Sequence, residues 1–154
     1  MRDLIFLLRT IILSVEFLLI FFGFITYLFL YEEILRIILH IGIEQINITL
    51  TMPLPLAIFA FFIKNAVAIL HQDTPYSQIL LRWPNYKYLK LTYYVALFYS
   101  SISLLICFIS ALFKLGTPES FLSFIVGLLV LSSSTLSCYI ARIEIKDYLT
   151  TFSE

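Results

Sequence analysis

Two charged side chains stand inside stretches that are otherwise apolar enough to cross a membrane. Glu16 interrupts IILSVEFLLIFFGFITYLFLY, and Lys64, followed by Asn65, interrupts TMPLPLAIFAFFIKNAVAIL. An ionised group at mid-bilayer costs roughly 2.5–3.5 kcal/mol on insertion scales, so each needs a partner, water or an escape to the interface. A carboxylate there can carry protons, a lysine beside it holds it ionised, and the two together form a structural lock. The remaining candidates are poorer. His40 and His71 have no paired carboxylate or metal-ligand spacing around them, and no serine lies in a nucleophile-elbow context. Cys107 and Cys138 fall in hydrophobic stretches far from any CxxC spacing and read as small packing residues. The sequence therefore predicts no catalytic residue, no metal and no cofactor, and a chain that is not an enzyme.

The elements that must position these charges follow from composition. Of 154 residues, 61 % are hydrophobic and only 13 % charged, which is the range of a polytopic membrane protein and leaves no room for a soluble domain. Ten basic residues balance ten acidic ones, so no nucleic-acid-binding surface is expected. The fold predicted is all-α: an integral-membrane four-helix bundle with one interfacial amphipathic helix, in a single transmembrane domain. The spans are expected at about 10–31, 51–70, 92–113 and 121–141. The first lacks the short apolar core and small-residue cleavage site of a signal peptide, so it is read as a retained span.

Between the first two spans, residues 32–44 are too polar to cross. On a helical wheel Glu33, Arg36, His40 and Glu44 lie opposite Ile34, Ile37, Ile38 and Ile41, the pattern of a helix lying in the interface, with Gly42 ending it. His40 is read there as a solvated residue. The Asn47-Ile48-Thr49 sequon matters only in a eukaryotic lumen. Pro53 and Pro55 mark the first turn of the second span. The polar loop 71–91 contains Thr74-Pro75 and Pro84-Asn85, a helix start and a break. Its Trp83, Tyr86, Tyr88, Tyr93 and Tyr94, interleaved with Arg82, Lys87 and Lys90, form an aromatic and basic belt at one interface. Arg82, Trp83, Tyr86, Lys87 and Lys90 are the surface on which a cytosolic protein partner would be met. Lys114-Leu115-Gly116-Thr117 followed by Pro118-Glu119 makes a tight hairpin between the last two spans, and residues 142–154 form a charged tail.

Small residues recur every four positions at Ser103, Cys107 and Ala111 in the third span, and in the fourth at Ser123 with Gly127 and then at Ser133, Ser137 and Ala141. Backbones can approach closely along such stripes. They fit packing of the third span on the fourth, a homo-oligomer interface, or a pore wall lined by Ser132, Ser133, Ser134, Thr135 and Ser137.

Arg2, Arg9, Arg82, Lys87, Lys90, Arg142 and Lys146 share one side, against Arg36 and Lys114 on the other, so both termini and the 71–91 loop are expected in the cytoplasm. Glu16 then lies roughly 9 Å above the boundary at Thr10, and Lys64 roughly 10 Å above His71. Matching depth predicts an ion pair between the first two spans, completed by Asn65 or a water. Two other readings stay open: Lys64 snorkels to the interface, or Glu16 titrates in a proton-coupled transporter, since an acidic residue in a first span is how small multidrug transporters begin.

The layout as a whole, with its short N-terminal segment, charged interfacial loop, Arg82-Trp83-Pro84-Asn85-Tyr86-Lys87 turn and charged tail, resembles the small four-span membrane proteins of bacterial phage defence. Among these are the Kiwa transmembrane subunit and the Rex-type membrane channel. The resemblance implies a homo-oligomer in the bacterial inner membrane that recruits a cytosolic effector through the 71–91 loop and the tail, or senses a membrane perturbation, or conducts ions. An accessory subunit of a larger membrane complex is the plain alternative.

Overall fold

Every regular element is a helix, and the longest of them is last. A computed structural model describes residues 14–42, 51–70, 86–113 and 115–151. Among these run α1 (Val15–Ile41), α2 (Pro53–Leu70), α3 (Tyr86–Leu112) and α4 (Pro118–Thr151), with no strand. α1, α3 and α4 are long and apolar enough to cross a membrane; the apolar part of α2, Pro53–Val67, is shorter. Arg2, Arg9, Thr10, Glu44, the sequon, the loop 71–85 with His71, Arg82 and Trp83, and Lys114 lie outside the described residues.

Local chemistry sets the helix ends. Ser14, extended at φ −70° and ψ 148°, accepts the Phe17 amide on its side chain and caps α1. The sequence places this serine inside a continuous span; the cap instead puts Glu16 in the first turn of α1, where amides and the helix dipole favour a carboxylate. The far end closes at Gly42, left-handed at φ 68°, whose amide donates to the Ile38 carbonyl at 3.1 Å. Only glycine takes that conformation without cost, so this stop was readable. α2 opens at Pro53, and α4 at Pro118 behind Thr117, whose hydroxyl accepts the Ser120 amide at 3.3 Å.

α1 is not straight. Leu30 leaves helical geometry (φ −118°, ψ 20°), near the expected boundary between span and interfacial helix. Beyond it, Ile34 and Ile38 are buried in a cluster with Cys107, Ala111, Leu115 and Phe124, at the hairpin end of α3 and α4. Glu33 and Arg36 face out from the same segment and pair at 3.1 Å.

α4 is the hub. α3 packs on it most extensively, and α1 and α2 each pack on it, whereas α1 makes no extended contact with α2 or α3. Bundles in lipid lack a hydrophobic force between helices, so contact depends on close fit and polar bonds. The fit is tightest at Gly127. A Cβ there would lie 2.7 Å from the Cys107 sulfur and 3.2 Å from the Ser103 carbonyl oxygen. Ser103, Cys107 and Ala111 are all buried, so the stripe on α3 and Gly127 on α4 form an intramolecular seam. Ser123 and Ser137 point outward and Ser133 is half-buried; the α4 stripe does not continue as one face.

Candidate functional site

Glu16, Asn65 and Ser134, three of the buried polar side chains, meet along the second half of α4, whereas Ser103, Ser110 and Ser120 are buried toward the hairpin. Ser134, fully buried, donates to Oε1 of Glu16 at 3.1 Å, and Glu16 is itself only 6 % exposed. One turn on, Cys138 meets Tyr93: the tyrosine hydroxyl donates to the Cys138 carbonyl at 2.9 Å and lies 2.9 Å from its sulfur. The Cys138 thiol donates in turn to the Phe62 carbonyl of α2 at 3.8 Å. A further turn on, Arg142 donates to Oδ1 of Asn65 at 2.8 Å, while the Asn65 amide donates to the Phe61 carbonyl, also at 2.8 Å. Each of the other three helices is thereby fastened to α4 by a polar bond. Around these bonds pack Phe62, Ala66, Tyr93, Ala96 and Ile145.

This ladder sets the relative depth of the intramembrane charges. Asn65 is level with Arg142, so Lys64 is too, and Glu16 is level with Ser134, two turns or about 12 Å away along α4. Lys64 also points away: its neighbour Asn65 faces α4, and one residue of helical rotation turns the lysine to the exposed surface. The structure does not bring Glu16 and Lys64 together. The depth argument failed because it measured Glu16 from Thr10 along a helix that starts at Val15, and because α1 and α2 are neighbours of α4 and not of each other. Asn65 serves Arg142 and not the expected ion pair. Among the described residues, Glu33–Arg36 is the only ion pair.

The aromatic belt divides likewise. Tyr88 and Tyr94 are exposed as an interface residue should be, but Tyr93 is buried and Tyr86 packs half-buried on the core. Lys90 is exposed, and the Lys87 backbone lies in the first turn of α3. Lys64, Lys90, Arg142 and Lys146 are all exposed, and the bonds above place them at one end of the bundle, on three helices. The opposite end exposes Glu32, Glu33 and Glu119, with Arg36 already paired to Glu33. There Tyr27 donates to Oε1 of Glu119 at 3.2 Å, joining α1 to the start of α4.

The serines expected as a pore wall do not share one face of α4. Ser132 and Ser137 are exposed, Ser134 is committed to Glu16, and the Thr135 hydroxyl donates to its own helix at the Leu131 carbonyl, 2.7 Å away. His40 is exposed. Among the described residues no three His, Cys, Asp or Glu side chains are grouped to hold a metal ion. Neither the Tyr93–Cys138 nor the Arg142–Asn65 bond is signalled by residue type or spacing, since each partner has an ordinary exposed or packing explanation where it stands. No known protein family, curated protein or solved structure matches the chain.

Proposed function

We propose that the chain is an oligomeric integral-membrane subunit that anchors or recruits a soluble partner at its basic end, with anti-phage defence the setting that its layout suggests. The supporting observation is the distribution of exposed charge among the described residues: Lys64, Lys90, Arg142 and Lys146 at one end, and Glu32, Glu33 and Glu119 at the other, where the basic Arg36 is paired to Glu33. Positive charge on the cytoplasmic side orients the bundle with α2 ending and α3 beginning in the cytoplasm. Glu16, Asn65, Tyr93, Ser134 and Cys138 hold helix to helix, which suits a rigid platform. In this reading Arg82, Trp83, Tyr86, Lys87 and Lys90, which in sequence lead into and open α3, supply the contact surface.

Purification in mild detergent followed by mass determination tests this. The expected result is a complex of several copies with a soluble protein that is lost when Arg82, Lys87 and Lys90 are replaced together by glutamine. A monomer without a partner, or a complex indifferent to the three substitutions, overturns it.

Proton-coupled transport is the second reading, favoured by one observation. Glu16 is buried against a serine hydroxyl, with Lys64 on another surface, so the lysine is not its partner. Substrate-dependent proton flux abolished by Glu16→Gln would establish it; flux unchanged by that substitution would remove Glu16 from the account.

A further inference from the structure

α1 and α3 both lean on α4 and share buried clusters at either end, Ile34 and Ile38 with Cys107 and Ala111, and Leu19 beside Val95, Tyr99 and Val130; between these a groove remains. Its volume is about 410 Å³, and Gly23 and Tyr27 of α1, Ser103 of α3, and Glu119, Ser123 and Val130 of α4 are among its walls. The lining is overwhelmingly apolar, and the groove is open along its side. Its polar groups are concentrated toward one mouth, where Glu119 accepts from Tyr27. A small apolar volume with a few placed polar groups is the usual form of a ligand site.

From Glu119 to Val130, α4 rises about 16 Å. Half of a roughly 30 Å hydrocarbon core is about the same, so the groove is one leaflet deep. Its carboxylate stands at the start of the α4 membrane span, where headgroups lie. Ser123 lies one turn further in, exposed, about 6 Å below Glu119 at helical rise. That is the spacing between a headgroup amine and the ester carbonyls beneath it in a glycerophospholipid.

We propose that this groove holds one acyl chain of a phospholipid with a primary-amine headgroup, taken from the leaflet on the Glu119 side. The ammonium pairs with the Glu119 carboxylate, whose position Tyr27 fixes. The Ser123 hydroxyl donates to an ester carbonyl. The chain fills the space between α1 and α3 and completes the packing that the helices themselves leave open. A lipid without an amine presents only phosphate and hydroxyl to Glu119 and is disfavoured by like charge.

Native mass spectrometry of the full chain, released from detergent with equal amounts of phosphatidylethanolamine and phosphatidylglycerol of matched chains, tests the site. The wild type is expected to retain one phosphatidylethanolamine per chain in preference to phosphatidylglycerol. Glu119→Gln keeps an acceptor for Tyr27 but removes the charge, and is expected to lower that preference roughly tenfold, the size of one charge-assisted contact. Ser123→Phe fills the groove from an exposed position and is expected to abolish retention of both lipids. Equal retention of the two lipids by the wild type overturns the proposal, as does a preference that survives Glu119→Gln. Should Ser123→Phe not yield a monodisperse protein, the Glu119→Gln result decides alone. A lipid-free wild type whose second copy occupies the groove, seen as a dimer lost in Ser123→Phe, also overturns it.

Discussion

The basic end and the acidic end of the bundle are held together by different means. At the basic end, polar groups of all four helices are fixed to one another: Glu16 to Ser134, Tyr93 to Cys138, Cys138 to Phe62 and Asn65 to Arg142. Apolar packing fills in around them, with Phe62 fully enclosed. At the acidic end the interhelical polar contacts are the exposed Tyr27–Glu119 bond and a bond from the Cys107 thiol to the Phe124 carbonyl at 3.7 Å, and α1 bends at Leu30 to lay Ile34 and Ile38 over the hairpin. In lipid, interhelical hydrogen bonds contribute modestly and close packing contributes most. The difference teaches that the basic end is built to keep one arrangement, while the acidic end, with an open groove between α1 and α3, is built to admit something.

The largest effect is expected from Phe62→Ala. The ring is wholly buried where α2, α3 and α4 meet, and truncation leaves a cavity that lipid cannot fill, costing about 3 kcal/mol, the low end for such changes because transfer to water is not at stake. Unfolding by SDS titration in mixed micelles measures it. The same loss at Phe29, 81 % exposed on α1, is expected to be negligible; equal effects at the two positions would mean that burial within the bundle contributes nothing.

Next comes the seam between the ends. Gly127→Ala places a methyl against the Cys107 sulfur and the Ser103 backbone, and the backbone cannot move aside. A cost of about 1–3 kcal/mol is expected, with α3 displaced from α4. Gly127→Ala combined with Cys107→Ala should recover part of it, because one of the two obstacles is then removed; no recovery would assign the whole cost to the Ser103 carbonyl.

Much of this arrangement could be read from the sequence where backbone chemistry alone decides it. Gly42 as a helix stop, Pro53 and Pro118 as helix starts, and the approach of the third span to the fourth along Ser103, Cys107 and Ala111 are local consequences of residue type. Other features are not local. In a soluble helix, alternation of polar and apolar residues distinguishes the inner face from the outer; in a membrane both faces are apolar, so nothing in the third span says that Tyr93 turns inward while Tyr94 turns out. The role of α4 as common neighbour was hidden for the same reason. Ser14 was missed as a cap because hydrophobic residues flank it on both sides, and that miss shifted the reckoned depth of Glu16.

Smaller effects distinguish the ends by their hydrogen bonds. Tyr93→Phe removes a buried hydroxyl that serves two atoms of Cys138 and is expected to cost about 0.6–1 kcal/mol. Tyr27→Phe removes the corresponding bond at the acidic end, where Glu119 is exposed and finds water or a headgroup instead, so no change in the unfolding midpoint is expected. A larger loss at Tyr27 than at Tyr93 would reverse the assignment of the rigid end.

The smallest expected quantity is a coupling. Glu16→Gln and Lys64→Met, measured singly and together, give an interaction energy that vanishes when the two residues do not meet. Their separation of about 12 Å in depth, and the exposure of Lys64 on the far side of α2, predict additivity within roughly 0.5 kcal/mol. Glu16→Gln and Ser134→Ala, by contrast, share a buried hydrogen bond and are expected to couple. If the lysine pair couples and the serine pair does not, Glu16 belongs to α2 and not to α4, and α4 loses its place as the common neighbour at the basic end.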